Sequence, residues 1–163
     1  MFTEENLQKV EEIKKRYPKQ MAAVLPVLWL AQEQFGWISE EIMHYVAGLL
    51  DVPFSHILGV VTFYTMYNTK PVGKYHIQVC ANVSCMLRGS DNLVEHLERK
   101  LGVRVGETTS DKMFTLDEVE CLGSCGTAPM MQVNDDYYDN LTAEKVNRLL
   151  DEFRNQKSEI GSR

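Results

Sequence analysis

Four cysteines are the residues of this chain best suited to chemistry, and all fall between positions 80 and 125 of 163. Cys80 and Cys85 form a Cys-x4-Cys pair; after 35 intervening residues, Cys121 and Cys125 form a Cys-x3-Cys pair. Cysteines scattered through a core for packing would not cluster in this way. In a chain with no secretory signal, such a set is read first as metal or redox chemistry and second as disulfides. Four thiolates gathered at one surface edge are the ligand set of a [2Fe–2S] cluster, a [4Fe–4S] cluster or a structural zinc.

The surrounding residues tilt that choice. Gly123, Gly126 and Thr127 flank the second pair, and Asn82 and Ser84 lie within the first. They leave backbone N–H groups free to point at sulfur, where such bonds stabilise an added electron. Glycine also tolerates the bending needed to pass around a cluster. Zinc knuckles more often use Cys-x2-Cys, although wider spacings occur. A thioredoxin-type dithiol needs Cys-x-x-Cys, which the sequence lacks. On ligand chemistry iron–sulfur leads, zinc follows, and disulfides or inert buried thiols stay open.

These cysteines must be positioned by the elements around them. Tyr75, Ile77 and Val79 alternate with His76 and Gln78, which predicts a strand ending at Cys80. Leu93, Val94, Leu97 and Leu101 mark an amphipathic helix, opened by Ser90 or Asp91 and closed by Gly102. Phe114, Leu116 and Val119 predict a second strand ending just before Cys121. Met130, Gln132 and Asn134, then Tyr137 to Asp139, read as a hairpin turned at Asp135-Asp136. Thr142 caps a last helix with Val146, Leu149, Leu150 and Phe153 on its apolar stripe. The order β-α-β-β-β-α implies a small sheet covered by helices. Both cysteine pairs then sit where a strand gives way to a loop, so neighbouring strands can bring them to one end.

Residues 1–72 read differently. Leu7, Val10, Ile13 and Tyr17 recur at helical spacing until Pro18. A second helix is expected from about Lys19 to Phe35, kinked at Pro26 and stopped by Gly36. Ser39 caps a third, with Ile42, Tyr45, Val46 and Leu49 on one face. Pro53 suits the first turn of a fourth, from Phe54 to Tyr67. Helices this short are marginal alone, so they are expected to pack as a bundle. The fold class is therefore α+β: a helical bundle over 1–72, then an α/β domain over 73–163.

Composition narrows the partners. The chain has 17 Lys and Arg against 23 Asp and Glu, a net charge of −6, which argues against nucleic acid or an anionic membrane surface. The longest apolar run, Met21 to Ala31, is eleven residues with Pro26 inside it, too short to span a bilayer. The start, MFTEENLQKVEE, lacks a basic region followed by an apolar core, so no secretory signal and a cytoplasmic location are expected. No Gly-x-Gly-x-x-Gly and no Gly-x4-Gly-Lys-Ser/Thr phosphate loop occurs. His44, His56, His76 and His96 are dispersed, and ordinary structural roles suit them better than ligation. Trp29, Phe35, Trp37, Phe63, Tyr64 and Tyr67 are each expected in the core more than at an interface. Met130 and Met131 either shield the cysteine site or simply belong to a strand. Glu118 and Glu120 read as a solvated strand face.

From Tyr75 to Leu150 the chain closely resembles thioredoxin-like [2Fe–2S] ferredoxin domains. The resemblance is carried by Cys80-Ala81-Asn82-Val83-Ser84-Cys85 with Gly89, by Gly106-Glu107-Thr108-Thr109, and by Val119-Glu120-Cys121-Leu122-Gly123-Ser124-Cys125-Gly126-Thr127-Ala128-Pro129. The helical part, through Leu25-Pro26, Ala31-Gln32, Gly36-Trp37-Ile38 and Gly59 to Tyr67, is similar to the peripheral [2Fe–2S] subunits of bacterial NADH:quinone oxidoreductase (complex I). The resemblance implies a thioredoxin-like α/β domain and one [2Fe–2S] cluster on Cys80, Cys85, Cys121 and Cys125, the first two on one iron and the last two on the other. It implies a one-electron carrier with no activity alone, exchanging electrons with FMN on an NADH-binding flavoprotein partner, within a larger respiratory complex peripheral to the inner membrane. Related subunits of NAD-linked hydrogenases and formate dehydrogenases fit the same pattern. A zinc-binding interaction module and a thiol oxidoreductase are the rival readings of the cysteines alone.

Overall fold

A computed structural model of the chain describes residues 1–160, with side chains through residue 156; the uninformative Gly161-Ser162-Arg163 ending lies outside the described residues. The chain divides at Pro71–Val72 into two compact units, each with its own core.

The first unit is all helical: α1 (Glu4–Arg16), α2 (Val24–Phe35), α3 (Glu40–Leu50) and α4 (Phe54–Phe63). Thr3 and Ser39 cap α1 and α3 by accepting from the N–H groups of Asn6 and Ile42. Gly36 ends α2 at φ +83, a conformation that suits a residue without Cβ. Pro26 does not kink a long helix. A single 3-10 turn, Gln20–Ala23, precedes α2, so Pro26 falls in the first helical turn, where its missing N–H has no intrahelical partner to lose. The buried stripe of α3 is Met43, Val46, Ala47 and Leu50, while Ile42, Tyr45 and Leu49 flank it half-buried. That stripe lies one position further along than the periodicity places it.

Helix α4 stops at Phe63, four residues short of the Tyr67 end read from sequence, and Pro53 stands just before the helix instead of inside it. Three tertiary bonds explain the early stop. The Gln32 side chain donates to the Met66 carbonyl at 2.8 Å and accepts from the Asn68 N–H at 2.6 Å. The Tyr67 ring is buried and its hydroxyl donates to the Leu25 carbonyl at 2.9 Å. These contacts replace the ladder bonds that another helical turn would form. Phe63 is left 76% exposed, and Tyr64 is exposed too, against the expectation that both pack in the core.

The second unit contains β1 (Tyr75–Cys80), α5 (Val83–Leu87), α6 (Ser90–Leu101), β2 (Glu107–Thr108), β3 (Phe114–Val119), β4 (Met131–Val133), β5 (Asp136–Tyr138) and α7 (Ala143–Ile160). The five strands form one sheet in the order β2-β3-β1-β4-β5, parallel only between β1 and β3. Two elements escape the sequence pattern, α5 and β2. Five and two residues are too short to show a period. Gly89, at φ +92, precedes α6, so Ser90 is its first residue and not its cap. The hairpin turns at Asn134-Asp135, with Asn134 at φ 54, one residue earlier than expected.

Tyr75, Ile77, Val79, Phe114, Leu116, Met131 and Val133 share one face of the sheet with Leu93 and Leu97 of α6 and Val146, Leu150 and Phe153 of α7. Both long helices therefore cover the same face. The alternate residues His76, Gln78, Thr115, Asp117 and Gln132 point the other way. There His76 Nε2 meets the Asp117 carboxylate at 2.6 Å, and Thr115 Oγ1 accepts from the Gly73 N–H at 2.6 Å.

Gly73 is fixed by this geometry. A Cβ there would stand 2.9 Å from the Phe114 backbone C and N, which cannot yield as a flexible side chain can. Gly73→Ala is expected to destabilise the second unit by about 1–3 kcal/mol, read from urea unfolding of the full chain. In the first unit, burial pushes the Tyr67 phenol up to about 12, with Tyr64 adding to the rise. The folded state then holds this proton where an unfolded tyrosine, at about 10, has lost it. The contribution is complete below pH about 10 and disappears as pH climbs through about 12. Tyr67→Phe should flatten the loss of stability across that window; an unchanged slope would place its origin elsewhere.

Candidate metal centre

β1 and β3 run parallel in adjacent positions, so both deliver their C-terminal ends to one edge of the sheet. Cys80, the last residue of β1, lies beside Val119, the last residue of β3, and Cys121 follows just beyond. The antiparallel strand β4 begins at this same edge. Its preceding residue, Met130, accepts from the Cys80 N–H at 3.2 Å, and the Val119 carbonyl accepts from the Ala81 N–H at 2.9 Å.

Cys85 returns to the edge on α5, whose N-terminus is held by Asn82. It is buried with Cys80, Ala128 and Met130, and Leu122 packs against this small cluster. Cys121 and Cys125 stand outside it, exposed. Of the four cysteines proposed from the sequence, Cys80 and Cys85 are buried together and Cys121 and Cys125 are exposed, with Cys80 hydrogen-bonded to both Cys85 and Cys121. Met130 is fully buried beside the first pair, whereas Met131 belongs to the sheet core, so the two methionines divide the roles left open for them.

The thiols sense one another across the two pairs. Burial raises the pKa of Cys80, but the backbone N–H groups of Asn82 and Leu122, together with hydrogen bonds to Cys85 and Cys121, outweigh it and hold the thiol below its ordinary value. Cys85 moves upward, through burial first and then its hydrogen bond to Cys80; the charges of Cys80 and Cys125 add to the rise, against a Met130 N–H that lowers it. The Gly123 N–H points at Cys121 Sγ from 3.4 Å. Gly123 and Asn82 are among the donors expected from sequence; Leu122 and Met130 are not.

This donor set suits an iron–sulfur cluster. Thiolate sulfur is its usual protein ligand, and N–H groups aimed at the sulfurs are what a cluster that gains negative charge requires.

Three of the four histidines have other occupations. His44 stacks on Phe54 with ring centroids 4.0 Å apart, His76 is paired with Asp117, and His96 Nε2 lies 3.0 Å from Asn147 Oδ1. Glu118 and Glu120 are exposed, as expected of a solvated strand face. Grooves on this unit lie elsewhere, one along Thr108, Thr109 and Arg154, another along Tyr138, Lys145 and Glu152. Cys121 and Cys125 are exposed at the sheet edge.

Sequence reading misses the segment that holds the loop of Cys121 and Cys125. Tyr137 Oη donates to the Leu122 carbonyl at 2.9 Å, the Asn140 N–H to Thr127 at 2.7 Å, and the Leu141 N–H to Pro129 at 3.0 Å. Within the loop, the Ser124 and Thr127 hydroxyls lie 2.8 Å apart. A lone exposed tyrosine carries no sequence signal for such a role.

Comparison with known proteins agrees with this geometry. The family model described as thioredoxin-like [2Fe–2S] ferredoxin matches residues 10–154. Curated relatives named as the E subunit of NADH-quinone oxidoreductase are 49% identical in Rickettsia felis and 50% in Rickettsia conorii, each over 94% of both chains. A relative from Rhizobium meliloti, named as a second E-type subunit of the same enzyme, is 46% identical over 90% of this chain and 88% of its own. Among solved structures, an NAD+-reducing [NiFe]-hydrogenase in its air-oxidised state superposes with a TM-score of 0.71 at 20% identity, a likeness of fold. That match covers 82% of this chain and 23% of the hydrogenase chain. With family and fold agreeing over nearly its whole length, the chain belongs to the thioredoxin-like [2Fe–2S] ferredoxin family, in the branch of the NADH-quinone oxidoreductase E subunits.

Proposed function

We propose that Cys80, Cys85, Cys121 and Cys125 hold one [2Fe–2S] cluster, and that the chain relays single electrons for an NADH-oxidising complex. The observation that carries the reading is the meeting of both cysteine pairs at one sheet edge, with backbone N–H groups directed at their sulfurs. A bound cluster would supply the one-electron chemistry. The chain's own residues supply the rest. Cys80 and Cys85 anchor one side from a strand and a helix, under the cover of Ala128 and Met130. Cys121 and Cys125 complete the set from a loop at the surface. The N–H groups of Asn82, Leu122 and Met130 are placed to favour charge on the first pair, and that of Gly123 on Cys121.

The sequence contains no phosphate loop and no dinucleotide fingerprint, and the reading places the nucleotide and the flavin on a partner chain. The names of the relatives support NADH:quinone oxidoreductase as host, and within such a host the reading assigns an FMN- and NADH-binding flavoprotein as the immediate electron donor. The hydrogenase match supports the fold and leaves the host to those relatives. No helix among the described residues is long and apolar enough to cross a membrane. Attachment to a membrane would then come through the complex.

Three measurements test the ligand set. Anaerobically assembled protein should be coloured, contain about two irons per chain, and develop an EPR signal on one-electron reduction. Cys121→Ala and Cys85→Ala should each abolish that signal. Colourless protein holding about one tightly bound zinc would overturn the reading. Metal-free protein that cycles between dithiol and disulfide would do so in favour of a thiol oxidoreductase. Copurification with a flavin-containing protein tests the partner.

A further inference from the structure

We infer that Tyr137 is a positioning residue for the cysteine centre: its hydroxyl locks the Leu122–Gly123 peptide so that the N–H of that peptide stays on the Cys121 sulfur. The inference rests on the ligand assignment proposed above. Tyr137 Oη donates to the Leu122 carbonyl oxygen at 2.9 Å, from β5 to a residue fifteen positions earlier in the chain. The opposite side of that same peptide unit is the Gly123 N–H, which points at Cys121 Sγ from 3.4 Å. A peptide unit is planar and stiff, so holding its carbonyl holds its N–H.

This peptide needs an external hold. Gly123 stands at φ +78 with nothing within 4 Å of where a Cβ would be. Glycine crosses between positive and negative φ at little cost. Left alone, the Leu122–Gly123 unit can turn its N–H away from sulfur. The far half of the loop is secured differently, by backbone bonds from Asn140 to Thr127 and from Leu141 to Pro129. Only the near half, which carries Cys121, depends on a side chain from this segment.

An N–H donated to a ligand sulfur stabilises the more negative, reduced form, and its loss favours the oxidised form. Tyr137 is half-exposed, so water competes for the same carbonyl and the effect should be modest.

The test is an EPR-monitored redox titration of the full chain, assembled with iron and sulfide, for wild type, Tyr137→Phe, Tyr137→Leu and Tyr138→Phe. Both substitutions at 137 should lower the equilibrium constant for reduction about three- to tenfold, which is about 28–59 mV at 59 mV per tenfold for one electron. They should also alter the g values while leaving iron content unchanged. Tyr138→Phe should match wild type, because that ring packs edge-on to Phe153 in the core. A wild-type potential in Tyr137→Phe overturns the inference, and if Tyr137→Leu alone shifts, the ring acts by packing and the hydroxyl has no part. Absence of any signal in wild type would instead refute the ligand assignment, and the role of Tyr137 with it.

Discussion

The parallel pairing of β1 with β3 is the constraint from which the cysteine centre follows. Antiparallel neighbours would send Cys80 and Cys121 to opposite ends of the sheet. Parallel strands need a crossover, and the segment carrying α5 and α6 supplies it while covering one face with Leu93 and Leu97. The same crossover places Cys85 near its start, immediately after Cys80. The 35 residues between the two cysteine pairs are therefore the length of a return path: through a helix, and then along a strand. β4 adds the third side, since an antiparallel strand next to β1 must begin where β1 ends. Cys80, Val119 and Met130 meet for that reason.

The four cysteines proposed as ligands are held by two unlike means. Cys80 is held by ladder bonds, and Cys85 by a helix that buries it against Met130. Their positions come with the fold. Cys121 and Cys125 sit on a loop that runs through the positive-φ Gly123 and has little core of its own. A loop of that kind keeps one shape only if other segments grip it, and residues 137–141 do so at three places. This asymmetry makes chemical sense. Electron exchange requires part of the centre to face a partner, and a surface loop faces outward, but reduction demands fixed donors around sulfur.

The legible parts of the sequence are those with a repeated physical signal. Alternation marks β1 and β3 to within a residue of their observed limits, and the stripe of Val146, Leu149, Leu150 and Phe153 marks α7. Ser39 is recognisable as a cap because a hydroxyl followed by two glutamates is a local signature, one that Thr3 shares without being singled out by it. The fourth helix reads too long because Phe63 to Tyr67 has helical composition, and only tertiary bonds from Gln32 and Leu25 turn it aside. Pro26 misleads for a related reason: a proline reads as a kink or as a start depending on where the helix begins, and the 3-10 turn before α2 settles that. The cysteines can be found because their type is rare and their spacing tight. Tyr137 cannot, because its role depends on a contact between segments that the sequence does not put side by side.

That difference separates what the composition of a site can reveal from what its arrangement must. Ligand identity is written in residue type, so the cysteine pairs and their glycines point to iron–sulfur chemistry without a fold. The tuning of such a centre is written in peptide orientation. Leu122 contributes through its N–H and its carbonyl, in addition to the side chain that packs against Cys80 and Cys85. Backbone groups are the same in every residue, so their roles leave no trace in sequence. The loop between Cys121 and Cys125 is therefore legible as a ligand loop from its cysteines, but its electronic character resides in bonds that only the folded chain displays.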